Sequence, residues 1–533
     1  MQLFSKKLSQ IYLVLFVSAF LTITGNFTFF QKTILVYPLS ENWLFLGSLF
    51  LLHLTLLAIL LLIFCYSKTI KPILILLLII SSVVSYSTNN YGIVFDHNMI
   101  TNTFETDTSE FRDLVSFKSI LYFLILGLLP SIAVWKVSLK KLTFNAQLLD
   151  RIKAFLILIV IITIVVLSFS KHYSSFFREN KSLRTYSIPI YYLYSTTKFV
   201  NSKFAISTKP FKEIGLDAKL NKKSDKRRLV ILVLGETARS DHMSINGYDL
   251  KTNPYLEQEG VISFKKMTSC GTDTALSVPC MFSLLDRSSY NHVKGKNMSN
   301  VLDIINHAGV SVLWLDNNSS SKSVADRVTY KDYRSSELNS ICNPECRDEG
   351  MLTNLQGFID EQNNKDILIV LHSMGSHGPA YYKRYPKEFE VFLPVCKTNL
   401  LNKCSREEIS NAYDNTILYM DYFLSKVIGL LKNNSQESDT AMFYISDHGE
   451  SLGEFGIYLH GYPYFMAPDV QKKIPAFMWF DEGLTKVFDI ESIKKSSELV
   501  RSHDNLFHTL LGLMDVETEL YQKDMDITTK YNP

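Results

Sequence analysis

Long apolar runs dominate the chain up to about residue 170, and beyond it short ones alternate with charged and polar stretches. Five of the long runs, at 10–30, 43–66, 72–87, 118–136 and 154–170, approach the ~20 residues that carry a helix across a bilayer. The third is the shortest. Lys6 and Lys7 precede the first run, which is too long for a signal-peptide core and has no small-x-small cleavage site. It is expected to remain as an anchor.

Charges between the runs set the direction. Lys68 and Lys71 lie between the second and third; Lys136, Lys140, Lys141, Arg151 and Lys153 lie between the fourth and fifth, against Asp150. The 88–117 loop instead carries Asp96, Glu105, Asp107, Glu110 and Asp113, with Arg112 as its interior cation. Basic loops stay cytoplasmic, so the N-terminus is expected inside and everything after the fifth run outside. Residues 171–226 form a connector rich in Tyr191, Tyr192, Tyr194, Phe199 and Phe204, followed by Lys222, Lys223 and Lys226. That composition fits a segment at the bilayer surface, and equally a solvated linker.

From residue 227 the pattern becomes strand, loop, helix, repeated. Apolar runs at Arg228–Leu234, Val310–Leu315, Ile367–Leu371, Ala441–Ile445 and Ile474–Phe480 read as strands buried on both faces. The intervening 299–308 and the amphipathic 411–432 read as helices. Together they predict a mainly parallel sheet covered by helices on both faces.

Such sheets bind ligands at the carboxyl ends of their strands, and four of these runs end in chemistry. The first leads into Gly235-Glu236-Thr237, and the second into Asp316, Asn317, Asn318 and Ser319, with Lys322 close behind. The third leads into His372, Ser373, Gly375, Ser376 and His377, and the fourth into Ser446-Asp447-His448-Gly449-Glu450. Any one of these fits a cap or a satisfied polar residue; all four favour a site. Glu236, Asp447 and His448 form an oxygen-rich set with one imidazole, suited to Zn²⁺ or Mn²⁺.

Cys65 falls within the second long run, as a packed free thiol would. The other six cysteines fall in close pairs, Cys270 and Cys280, Cys342 and Cys346, Cys396 and Cys404. Spacing favours nearest-neighbour bridges, because no pair of CxxC knuckles supports a zinc ribbon, and short-loop disulfides suit an exported domain. The first pair brackets Thr272 and Thr274 ahead of an apolar run that could open a helix. A helix N-terminus favours negative charge, and a hydroxyl beside a metal loses its proton more easily. Thr274 therefore suits a nucleophile, although a purely structural stapled loop has the same composition. A net charge of +3 over 533 residues gives no reason to expect a nucleic-acid partner.

Five stretches in combination resemble the bacterial phosphoethanolamine transferases of the lipid A modifying and colistin-resistance types. They are Gly-Glu-Thr-Ala-Arg (235–239), Cys-Gly-Thr-x-Thr-Ala-x-Ser-Val-Pro-Cys (270–280), Gly-Ser-His-Gly-Pro (375–379), Ser-Asp-His-Gly-Glu-Ser-Leu-Gly-Glu (446–454) and Leu-His-Gly (459–461). The resemblance covers essentially the whole chain. It implies an N-terminal α-helical membrane domain of five transmembrane helices (1–170) and an interfacial connector (171–226). A periplasmic catalytic α/β domain of alkaline-phosphatase and sulfatase-like fold (227–533) follows.

The resemblance also assigns roles. Thr274, chosen over Thr272 and Thr237, is the nucleophile and shares one catalytic Zn²⁺ with Glu236, Asp447 and His448. Asn318, Lys322, His377 and His460 surround the phosphoethanolamine group or hold additional zinc. Asn98, Asn102, Thr106 and Glu110 recur every four positions and would share one helix face. Residues matching Asn102, Thr106 and Glu110 bind the lipid substrate, with Glu110 meeting the ethanolamine ammonium.

The implied protein is a monomer of the Gram-negative inner membrane. It moves phosphoethanolamine from phosphatidylethanolamine to lipid A of lipopolysaccharide through a phospho-threonine intermediate, lowering surface negative charge and favouring polymyxin resistance. Two other readings stay open: another acceptor, such as a lipopolysaccharide core sugar, a surface glycan or glycerol phosphate chemistry, and a non-catalytic membrane scaffold. The cysteine pairs and the Asn102–Thr106–Glu110 face argue against glycerol phosphate transfer. Intact Glu236, Thr274, Asp447 and His448 argue against the scaffold.

Overall fold

The computed structural model describes residues 7–105, 112–221, 226–343, 345–528 and 530. The chain divides into two compact units, one of Met1–Ile100 with Val115–Lys198 and one of Thr101–Leu114 with Phe199–Pro533.

The first unit is helical. Leu39–Phe64, Ile70–Tyr91, Phe117–Lys136 and Phe144–Ser168 are each long and apolar enough to cross a membrane, with mean hydropathy between 2.0 and 2.6. The expected first span is two helices, Gln10–Gly25 and Phe27–Val36, bent by 62°. Among the described residues there are thus four such spans, or five when the bent pair counts as one. Asn26 makes the break. Its side chain donates to the carbonyls of Leu21 (3.1 Å) and Ile188 (2.7 Å) and accepts from the Ile188 N–H (2.8 Å). Backbone groups freed by the bend thus find partners, as a low-dielectric surrounding demands. The expected short third span grows to Ile70–Tyr91, ending where Gly92 turns left-handed at φ 76°. The last span starts early, at Phe144, because the Thr143 hydroxyl caps Ala146 N.

In the expected connector, Ser170–Glu179 and Ile190–Thr208 are helices. Lys222 and Lys223 lie outside the described residues.

The second unit is built on a seven-stranded sheet. In chain order its strands are β1 (Arg227–Gly235), β2 (Ile262–Ser263), β3 (Ser311–Asp316), β4 (Thr329–Asp332), β5 (Ile367–His372), β6 (Ser438–Ser446) and β7 (Ala476–Phe480). Their spatial order is β2-β7-β6-β1-β5-β3-β4. From β6 to β4 all neighbours are parallel, whereas β7 runs antiparallel to β6. The apolar run 474–480, read as one strand, splits into Lys473–Ile474 and Ala476–Phe480. Pro475 falls at the split, where it has no N–H to give a ladder.

The parallel register fixes the geometry of the site. Gly235 pairs with Ser446, Leu234 with His372, and Asp316 with His372. The residues that follow β1, β3, β5 and β6 therefore leave the sheet at one edge. On the faces, the long helix Arg406–Asn434 starts from a Ser405/Glu408 capping box and Val301–His307 from an Asn300/Asp303 one.

Candidate active site

Glu236 follows β1, Asp447 and His448 follow β6, and Thr274 opens the helix Thr274–Met281. All four are buried, none more than 4% exposed. The Asp273 side chain caps the helix by accepting from Leu276 N at 3.0 Å, and Ser277 donates its hydroxyl proton to the Asp447 carbonyl at 2.5 Å. The Thr274 hydroxyl is thereby held at a helix N-terminus, 3.1 Å from Glu236 Oε2 and 3.3 Å from His448 Nε2.

Each carboxylate has one oxygen fixed by donors and one without a donor. Glu236 Oε2 accepts from Asn318 Nδ2 (2.8 Å) as well as Thr274. Asp447 Oδ1 accepts from the N–H groups of His448 (2.7 Å) and Thr237 (3.2 Å). Glu236 Oε1 and Asp447 Oδ2 have no hydrogen-bond donor among the described residues. They lie 3.4 Å and 3.3 Å from His448 Nε2. His448 Nδ1 faces the Gly449 carbonyl at 2.9 Å and so carries the ring proton, leaving a lone pair on Nε2.

Two carboxylate oxygens and one imidazole lone pair thus converge with no donor group between them among the described residues. A buried polar atom left bare needs an explanation, and a divalent cation with N and O ligands supplies one. Burial, with the neighbouring Glu236 charge, pushes the Asp447 carboxyl well above the usual range. Burial lowers His448 to about 3, so its ring is neutral. A metal would let Asp447 ionise beside Glu236, whose carboxyl the neighbouring histidines already hold below its ordinary value despite burial.

A second group adjoins the first. His460 Nδ1 lies 2.8 Å from Glu450 Oε2, and the ring centroids of His448 and His460 are 4.4 Å apart. His377 and His460 lie 5.4 Å apart by the same measure. Glu236 with His377 and His460, and His448 with Glu450 and His460, are further sets whose ligand atoms converge closely enough to hold an ion. Asn318 is aimed by its own N–H to Asp316 Oδ1 (3.0 Å) and its amide to the Ser373 carbonyl (2.8 Å). Gly375, at φ 50°, lets the β5 loop pass so close that an added Cβ would sit 2.8 Å from the Glu236 carbonyl oxygen.

The other expected residues are placed as follows. Lys322 is buried, with its ammonium on the Ser319 carbonyl (2.8 Å) and the Glu105 carbonyl (3.2 Å). Asn102 lies on the helix His97–Glu105, part-buried. Thr106 and Glu110 lie outside the described residues. Thr272, the neighbouring hydroxyl, donates to the Tyr462 carbonyl at 2.5 Å. Thr237 sits in left-handed backbone at φ 53°.

Residues 228–516 match the sulfatase family, and 53–204 match the family described as phosphoethanolamine transferase EptA/EptB. Phosphatidylethanolamine transferase Mcr-1 of Escherichia coli is 43% identical over 97% of each chain. Phosphoethanolamine transferase EptA of Escherichia coli K12 is 37% identical over 96% of this chain and 95% of its own. The solved integral membrane lipooligosaccharide phosphoethanolamine transferase A (EptA) from Neisseria meningitidis superposes with a TM-score of 0.93 at 35% identity, covering 98% of this chain and 99% of that one. The chain belongs to the phosphoethanolamine transferase family.

As a phosphoethanolamine transferase family member it has the expected disulfides, Cys270–Cys280, Cys342–Cys346 and Cys396–Cys404, with Cys65 free and buried. The first of them closes the loop that carries Thr274. Sequence reasoning gave Glu450 no role, although it closes the Ser446–Glu450 stretch. The signal was present, since a carboxylate three residues from an acid ligand candidate invites a second-sphere partner.

Proposed function

We propose that the protein transfers phosphoethanolamine from phosphatidylethanolamine to lipid A of lipopolysaccharide, at the periplasmic face of the Gram-negative inner membrane. In this reading residues 1–170 anchor the chain, 171–226 connect, and 227–533 carry the chemistry. The observation that carries it is the Thr274 hydroxyl, fixed at a helix N-terminus against Glu236, Asp447 and His448. Full-length relatives bear the transferase name.

Glu236, Asp447, His448 and Thr274 would hold the zinc, which would supply Lewis-acid chemistry there, a lowered proton affinity of the hydroxyl and a screened phosphodiester charge. Thr274 Oγ1 attacks the donor phosphorus in line with the glyceride oxygen. The new Oγ1–P bond forms, the bond from phosphorus to diacylglycerol oxygen breaks, and that oxygen takes the proton that Thr274 loses. Phosphoethanolamine is left esterified to Thr274. A lipid A phosphate hydroxyl oxygen then attacks the same phosphorus, the Oγ1–P bond breaks, and the proton of that hydroxyl passes to Thr274 Oγ1. Asn318 holds Glu236 in place through both steps, and Glu450 holds His460. Asn102, Thr106, Glu110, Lys322 and His377 serve the head group in this reading. The product carries an added ammonium, which weakens attraction for cationic peptides such as polymyxins.

The test is to incubate the purified full chain with head-group-labelled phosphatidylethanolamine and no acceptor, then map the label by peptide mass spectrometry. Label on the peptide containing Thr274, absent from Thr274→Ala, is the expected result. Label on Thr237 or Thr272, or none at all, contradicts the assignment.

A further inference from the structure

A cavity of about 540 Å³ opens within the helical first unit. That volume is typical of small-molecule sites. Much of its wall is apolar, including Phe29, Leu49, Leu52 and Phe176, while Arg184, Ser187, Tyr194 and Lys198 supply a polar side. The cavity shares no residue with the Thr274 site.

His53 lines this cavity and is only 4% exposed. Its Nδ1 lies 3.1 Å from Thr22 Oγ1, whose own proton goes to the Ser18 carbonyl at 2.8 Å. The hydroxyl can then only accept from the ring, so Nδ1 carries the proton and Nε2 is a lone-pair acceptor. Nε2 has no partner among the described residues. An occupant with a hydroxyl donor would satisfy it.

Charge supplies the second clue. Arg184 and Lys198 both line the cavity, no acid does, and neither cation makes an ion pair among the described residues. Asp96, outside the lining, is the acid whose charge reaches Lys198. A guanidinium and an ammonium facing one space suit a phosphodiester. An ethanolamine head group would bring a third cation beside them, whereas a glycerol head group brings hydroxyls.

We propose that this cavity is a binding site for an anionic phospholipid of the phosphatidylglycerol class. Its phosphodiester meets Arg184 and Lys198, a head-group hydroxyl donates to His53 Nε2, and its upper acyl segments pack on Leu49, Leu52 and Phe29. The site binds lipid without turning it over, and none of its lining residues belongs to the Thr274 site.

Native mass spectrometry tests this on the delipidated full chain, reconstituted with equal amounts of phosphatidylglycerol and phosphatidylethanolamine. Wild type is expected to retain phosphatidylglycerol roughly tenfold better, the worth of one charge-assisted contact. The Arg184→Gln/Lys198→Gln double variant should lose that preference, and His53→Phe should reduce it. Equal retention of both lipids by wild type, or an undiminished preference in a folded double variant, would mean annular lipid only and overturn the site. Should the double variant not fold, the wild-type competition decides alone. Transfer activity is not read, so failure here leaves the transferase assignment intact.

Discussion

Glu450 Oε2 lies 2.8 Å from His460 Nδ1, and the other oxygen of Glu450 accepts from the Tyr381 hydroxyl at 2.7 Å. The carboxylate is fully buried, and one oxygen is committed to each partner. Burial works to lower the pKa of His460, but the Glu450 charge and hydrogen bond outweigh it and raise it above the ordinary 6.5. Glu450 is thus a positioning residue that fixes which nitrogen of His460 faces His448 and His377. Partners of this kind are typically worth about 10–100-fold in activity. Glu450→Gln should lower kcat by that order while the thermal midpoint moves little. A variant with wild-type kcat would remove Glu450 from the account.

Metal content separates the acid ligands from the hydroxyl. Glu236→Ala should lose most of its bound zinc on dialysis, measured by atomic emission. Asn318→Ala, which only aims Glu236, should weaken zinc about tenfold. Full zinc occupancy in Glu236→Ala would show that the ligand set is wrong.

Asp113 should make stability acid-sensitive. Its two oxygens meet Lys383 Nζ at 2.5 Å and an Arg384 guanidinium nitrogen at 2.6 Å, all within the second unit. Burial acts to raise its pKa, but these two cations outweigh it and hold the acid below its ordinary 3.8. An acid with a depressed folded pKa stabilises the fold above its unfolded value and loses that contribution as pH falls through the folded one. Asp113→Asn should therefore cost about 3 kcal/mol at neutral pH. Its gap from wild type should close as the pH falls below the ordinary value of 3.8. Thermal midpoints across that range would settle it: a gap independent of pH contradicts the ion-pair account.

The Cys270–Cys280 bridge closes a loop of sequence separation 10. Chain entropy alone assigns such a loop about 3 kcal/mol. The Cys270→Ser/Cys280→Ser pair should therefore lower the thermal midpoint. It should also lower kcat, because the helix bearing Thr274 loses its tether. A lowered midpoint with unchanged kcat would make the bridge structural only.

Most of the catalytic cluster was legible because a parallel register is forgiving. Strands β1, β3, β5 and β6 need only be recognised as buried runs for Glu236, Asn318, His377 and Asp447 to fall at one edge. The start of a helix near Thr274 was visible from the apolar run behind the hydroxyls, whereas the Asp273 cap emerged only in the structure. What stayed hidden depends on tertiary context. A side chain 162 residues away in sequence from its partner Ile188 makes Asn26 a bend. The antiparallel direction of β7 leaves no periodic trace in an apolar run. Lys322 shows no sequence sign that its ammonium would donate to the carbonyls of Ser319 and Glu105.

The central claim is that Thr274 carries phosphoethanolamine to lipid A. The most direct measurement is the mass of lipid A from cells making the wild-type chain, the Thr274→Ala chain or neither. One added phosphoethanolamine per modified lipid A with wild type, and none with Thr274→Ala, is the predicted result. Unmodified lipid A in wild-type cells, or equal modification by Thr274→Ala, would contradict it.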